Sequence, residues 1–173
     1  MSFSSFQKTE HWLNPKICHL YEKGAISDFS FEAWSNYTEE FAFDQSDIND
    51  LISVLIDPQF FTTETNSDKA WSIIHAWRAL GQLKAQAAIL PIIQYFEHIV
   101  EEDMALQELH FVFALIGEPA IEPLMAYLKI DTDNEYCHVL AVSALTEIAK
   151  LNSDFRAHIL DNFVEYMRDP NLT

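Results

Sequence analysis

The chain has 173 residues, 49% of them hydrophobic, enough for one domain with a continuous core and too few for several independent ones. Three glycines, six prolines and the near absence of alternating β-branched runs predict an all-α fold. With 27 acidic against 10 basic side chains the formal net charge is -17, a surface that repels polyphosphate and so excludes nucleic acid and anionic membranes as expected partners.

No basic residue lies between Lys23 and Lys69, or between Lys84 and Lys129, while acids such as Glu39, Asp47, Asp57, Glu97, Glu101, Glu108 and Glu122 fill both gaps. Such acid either keeps the protein soluble or recruits a basic partner. Cys18 and Cys137 are the only cysteines and show no metal-type pairing. The opening residues lack a basic stretch followed by an apolar run, and no segment reaches the roughly 20 apolar residues that span a bilayer. A cytoplasmic setting is the expectation.

In chain order, the first helix opens after Asn14, a capping residue, with Pro15 at its first position, and stops at Gly24. Ile17, Leu20 and Tyr21 give it a short apolar stripe. A second helix is predicted from Asp28 to Phe43, where Phe29, Ala33, Trp34, Tyr37 and Phe41 recur at steps of three and four. Gln45 or Ser46 leads into a third, with Ile48, Leu51, Ile52, Leu55 and Ile56 on one face, ending before Pro58. Residues 57–67 form the one long break, and Phe60 and Phe61 within it would be costly to leave in water.

From Asp68 onward helix pairs recur. Ala79-Leu80-Gly81-x-Leu83, followed by Ala88-Ile89-Leu90-Pro91-Ile92-Ile93, returns as Phe113-x-x-Ile116-Gly117 followed by Ala120-Ile121-Glu122-Pro123-Leu124-Met125. The prolines are 123 − 91 = 32 residues apart. A third copy without the proline runs through Ala144-Leu145-x-x-Ile148 to Ile159-Leu160-x-x-Phe163, with Leu145 lying 32 residues after Phe113. Its predicted inward stripe is His138, Ala141, Val142, Leu145 and Ile148, then Ile159, Leu160, Phe163 and Met167. Self-similarity at this period predicts an α-solenoid of about four stacked antiparallel helix pairs. Residues 1–27 would form a helical cap, 28–67 a divergent first repeat with its loop, and 68–173 three regular repeats, all in one domain.

These residues resemble short bacterial-type HEAT repeats, in which an Ala-Leu-Gly-like step ends the first helix and a small residue, an apolar one and Pro begin the second. The resemblance covers residues 68–168 and extends less fully over 28–56. Tetratricopeptide repeats share the Trp77-x-x-Leu80-Gly81 opening, but Lys84 stands where they carry Tyr and the Trp does not recur. The resemblance implies a concave face of stacked second helices that binds proteins. Glu118 fits the family's acidic turn position, yet residues 86–101 contain no Lys or Arg to complete the usual charge ladder.

Two chemistries compete for that scaffold. His98 with Glu101, and Glu135 with His138, have the i, i+3 spacing used by metal sites in bundles, which would suit a metal-dependent hydrolase or lyase accessory. No nucleophile elbow or phosphate-cradling glycine loop accompanies them, so no catalytic residue, cofactor or metal is assigned. The leading expectation is a non-enzymatic interaction module whose acidic concave face binds a basic protein or peptide, as an immunity or antitoxin-like protein would. Its contact residues would be Gln94, Tyr95, His98 and Glu101, then Glu122, Ala126 and Tyr127, then His158, Asp161, Asn162 and Glu165. The apolar last helix, with Phe163, Val164, Tyr166 and Met167, further predicts a homodimer through the C-terminal end or a longer natural chain.

Overall fold

The computed structural model describes residues 13–57, 71–99, 103–130, 132 and 134–168. Their regular structure is helical, with no strand among them. In order come α1 (Pro15–Glu22), α2 (Tyr37–Glu40), α3 (Ile48–Leu55), α4 (Ser72–Gln82), α5 (Ile89–Gln94), α6 (Phe96–Ile99), α7 (Asp103–Ile116), α8 (Ile121–Tyr127), α9 (Glu135–Leu151) and α10 (Arg156–Met167). Glu101, Phe60 and Phe61 lie outside the described residues.

The first helix follows its end signals. Asn14 accepts the Lys16 amide at 3.0 Å, Pro15 occupies the first turn, and Gly24 at φ 75° turns the chain away. The same Asn14 side chain donates to Asp47 at 3.0 Å and Asp50 at 2.8 Å, and Lys16 reaches Asp47 at 2.7 Å, so α1 is tied to the start of α3. Asp44 and Asp47 form a reciprocal capping box over a 3-10 turn, Gln45–Asp47, that leads into α3.

The continuous helix expected over residues 28–43 does not form. Only a 3-10 turn, Phe31–Ala33, and the single turn of α2 appear there. Asp28 accepts the Ser30 amide at 2.9 Å and the Ser30 hydroxyl at 2.7 Å, a local alternative to helical bonding. Farther along, Gln82 of α4 donates to the Ser35 carbonyl at 2.8 Å and accepts the Tyr37 amide at 2.8 Å. Gln82 of α4 thus satisfies two backbone groups of this segment from outside it. Its aromatic rings lie across the first helices, Phe31 stacking on Phe111 of α7 with centroids 4.9 Å apart.

The rest of the chain repeats one unit: a long helix, a 3-10 turn and a second helix. The turns are Gln86–Ala88, Glu118–Ala120 and Ser153–Phe155. Second helices therefore open at Ile89, Ile121 and Arg156, with spacings of 121 − 89 = 32 and 156 − 121 = 35. The last unit is three residues longer than the sequence match of Phe113 to Leu145 implies. Long helices pack in succession, α3 on α4, α4 on α7 and α7 on α9, while α5 packs on α8 and α10 on α9. The apolar pair α7 and α8 is bent by 119°, and no single described helix is long and apolar enough to cross a membrane.

One hydrophobic cluster runs from Ile17 to Ile159, with Trp77, Tyr37, Phe96 and Phe113 among its largest buried side chains. Each such burial is worth roughly 1.5–3 kcal/mol against exposure. The expected inward stripe of the last pair is corrected in part. Helix α9 buries Cys137, Leu140, Ala141, Ala144, Leu145 and Ile148 against its neighbours, while Val142 faces out and His138, half-buried, donates from Nε2 to the Ile130 carbonyl at 3.0 Å. On α10 only Ile159 is fully inside. Leu160 and Met167 are exposed because no further helix packs over them among the described residues.

Candidate interaction surface

The second helices carry the residues expected to meet a partner. On α10, His158, Asp161, Asn162 and Glu165 recur at three and four residue steps and so share one side. That side borders α8, since His158 Nε2 lies 3.1 Å from a Glu122 carboxylate oxygen, and Asn162 donates to the His158 carbonyl at 2.8 Å. Glu122, His158, Asp161 and Glu165 are exposed. Gln94 at the end of α5 and His98 on α6 are exposed as well. The sequence order Gln94, Glu122, Asp161 is thereby laid across successive second helices.

Both tyrosines expected on this surface have other tasks. Tyr127 is buried, a correction to its expected exposure: the Phe96 ring meets it edge-on at 5.1 Å and His138 at 6.0 Å. Burial, then the neighbouring Cys137 thiol, holds its phenol well above the usual range. A residue on the flank of α8 is covered here because α6 and α9 close over it from two sides. Tyr95 is half-buried and donates from its hydroxyl to the Ile56 carbonyl at 3.2 Å, linking the end of α5 to the end of α3.

Several acids counted toward the surface are inside the molecule. Glu108, Asp47 and Asp57 are all buried. Glu108 receives Trp77 Nε1 at 2.9 Å and Arg78 Nε at 2.8 Å, and its second oxygen pairs with the other guanidinium arm. The Arg78 guanidinium also lies over the Trp34 ring, 5.0 Å from its centroid. This bidentate pair welds α4 to α7, and losing one partner of such a pair costs about 3–5 kcal/mol. Its only sequence signal was an acid on an otherwise apolar helix face.

Beside it, His75 donates from Nε2 to the Gly24 carbonyl at 2.9 Å and accepts the Tyr37 hydroxyl on Nδ1 at 2.7 Å. With Nε2 donating and Nδ1 accepting, the ring is neutral. Burial lowers its pKa to about 4 and raises that of Tyr37 to about 12. A cavity of about 240 Å³ lies here, lined by Lys23, Ser27, Ser35, Tyr37, His75 and Arg78 among others. Lys23 pairs with Glu40 at 2.5 Å, so the cavity's cations are already engaged by protein.

Among the described residues no group of three or more His, Cys, Asp and Glu side chains is arranged to hold a metal ion. No family model, curated protein or solved structure matches this chain. Helices α5, α6 and α8 contain no Lys or Arg, and the side chains of Glu122, Asp161 and Glu165 present exposed carboxylate oxygens, which are acceptors.

Proposed function

We propose that this chain is a short HEAT-like solenoid that binds a basic protein or peptide through an acidic concave face made by the exposed sides of its second helices. The observation that carries the reading is the acceptor-rich stripe of Glu122, Asp161 and Glu165, which crosses from α8 to α10 where His158 meets Glu122. Three helix units with the same turn between long and short helices support the solenoid, and the net charge of -17 supports a cationic partner. A small acidic binder of this kind suits neutralisation of a cationic toxin, the antitoxin-like version of the reading. The same charge disfavours nucleic acid and anionic membrane.

The carboxylates would speed encounter by long-range attraction, and the histidines and Gln94 would fix register at the contact. Tyr95 and Tyr127 contribute through the fold, since one anchors α5 to α3 and the other fills the core. The test uses an arginine-rich peptide titrated by fluorescence anisotropy at several salt concentrations. The variant Glu122→Gln, Asp161→Asn, Glu165→Gln is expected to bind at least tenfold more weakly at low salt and with a flatter salt dependence. Salt screens over a Debye length of about 8 Å at physiological strength, so raising it should mimic the substitutions. Equal binding by the variant and the parent would sink the assignment of this stripe.

A further inference from the structure

A second cavity, of about 470 Å³, lies at the edge of the stack where the long helices end. Its wall takes in the turn after α4, the end of α7 with the turn into α8, and the end of α9 with the turn into α10. Three successive units therefore contribute to it. Apolar side chains form the floor: Ala114, Ile116 and Ile148 are buried, and Leu115 and Phe155 are half-buried beside the exposed Leu151. The volume falls within the range of roughly 300–1,000 Å³ typical of small-ligand sites.

The charges at its mouth differ from those beside His75, where Lys23 and Arg78 are both paired with carboxylates. Lys84 is the one base in the wall and Glu118 the one acid. Both are exposed, and neither side chain forms an ion pair or hydrogen bond among the described residues, with each other included. The Gln86 side chain is unbonded in the same sense. Asn152 uses its side-chain oxygen to accept the Asp154 amide at 3.0 Å, which leaves its NH2 group to donate.

Lys84 also stands where a lysine is strained. The chain leaves α4 by a C-terminal motif in which the Ala85 amide donates to the Leu80 carbonyl at 3.0 Å and the Lys84 amide to the Gly81 carbonyl at 2.9 Å. Its left-handed position is held by Lys84, at φ 51°, although glycine or asparagine adopts that conformation with less strain. The chain leaves α7 through a glycine, Gly117 at φ 82°. Strain of this kind persists where the side chain has a task, and here that side chain is the cavity's one cation.

Opposite, unpaired charges beside one apolar floor select a dipolar occupant. A purely anionic ligand would meet Glu118, a purely cationic one would meet Lys84, and a neutral apolar one would take water from both charges without replacing it. A dipeptide carries an ammonium and a carboxylate roughly 7 Å apart, with an amide between them for Gln86 and Asn152. We propose that this cavity binds a dipeptide with apolar side chains, its carboxylate on Lys84, its ammonium on Glu118 and its side chains against Leu115, Leu151 and Phe155. The site shares no residue with the stripe on α8 and α10, so either assignment can fail without the other.

The test is an NMR titration of backbone amides in the full chain with the dipeptide Leu-Phe, up to about 10 mM, sufficient for a dissociation constant of about 1 mM. Saturable shifts are expected at residues 84–86, 114–118 and 151–155. N-acetyl-Leu-Phe amide, which lacks both charges, should bind at least tenfold more weakly. Lys84→Gly removes the charge while relieving the backbone, so its unfolding midpoint should be no lower than the parent's and its affinity for Leu-Phe at least fivefold lower. Lys84→Arg should keep the affinity, and Glu118→Gln should lower it as Lys84→Gly does. Capture of the arginine-rich peptide should be the same in Lys84→Gly as in the parent. The proposal is overturned by an absence of saturable shifts, by shifts confined to other residues, by equal binding of the blocked dipeptide, or by undiminished binding in Lys84→Gly.

Discussion

His75 shows how one buried side chain makes stability depend on pH. Its ring sits between the Tyr37 hydroxyl and the Gly24 carbonyl, with Lys23 and Arg78 nearby, and it protonates only near pH 4 in the fold against about 6.5 when free. As pH falls, the unfolded chain takes up this proton first. The contribution is therefore complete above pH 6.5 and lost progressively down to about 4, to a total of up to about 3 kcal/mol. Asp47 acts in a lower window. Burial alone would raise its carboxyl, but hydrogen bonds from Lys16 and Asn14 and the Asp44 amide outweigh that and hold it below its ordinary value, so its contribution is lost only as pH drops through the acid range beneath 3.8. Urea unfolding of the parent and of His75→Gln at pH 7 and pH 4.5 separates the two groups. The parent should lose more stability between those pH values than the variant, and parallel losses would show that His75 carries no linked proton.

At the scale of elements, Gly81 and Gly117 have different reasons for being glycine. Gly117 precedes the 3-10 turn into α8 at φ 82° and ψ -139°, a conformation open to glycine alone, although a Cβ there would meet nothing within 4 Å. Gly81 has ordinary helical geometry inside α4, but a Cβ would come within 3.2 Å of the Val112 Cα and the Leu115 side chain on α7. Gly117→Ala should cost about 1–3 kcal/mol from backbone strain. For Gly81→Ala a helix-propensity gain of about 1 kcal/mol offsets a similar loss from crowding α7, so the net cost should be smaller. Denaturation midpoints that rank the two in the opposite order would refute this division of roles.

The same elements show what the sequence could reveal. The end of α1 and the turns before α5 and α8 were legible because capping residues, prolines and periodic apolar positions act locally. The segment from Asp28 to Phe43 was not, since its aromatic spacing mimics a helix while its backbone partner, Gln82, lies more than 40 residues away. On the candidate surface, His158, Asp161 and Glu165 could be placed by helical period alone. Tyr127 could not, because its burial comes from Phe96 and His138 on other elements. Glu108 escaped for the same reason: its partner Arg78 sits on the preceding long helix, 30 residues earlier.

Across the whole molecule, burial falls from the middle of the stack to its end. Every residue of α4 from Ser72 to Gly81 is buried, and the Arg78–Glu108 pair locks that helix to α7. Helix α10 buries Ile159 alone and rests on α9 with Phe163 and Tyr166 half covered. Local opening is cheapest where few apolar contacts must be broken, so α10 should open first and the α4–α7 layer last. Amide hydrogen exchange on a dilute sample should show α10 exchanging at least a hundredfold faster than α4. Adding the arginine-rich peptide at fixed low protein concentration should slow exchange in α10 if the stripe of Asp161 and Glu165 binds it. Uniform protection along the dilute chain would mean that the last pair is held as firmly as the centre, and that the bare face of α9 and α10 costs the fold nothing.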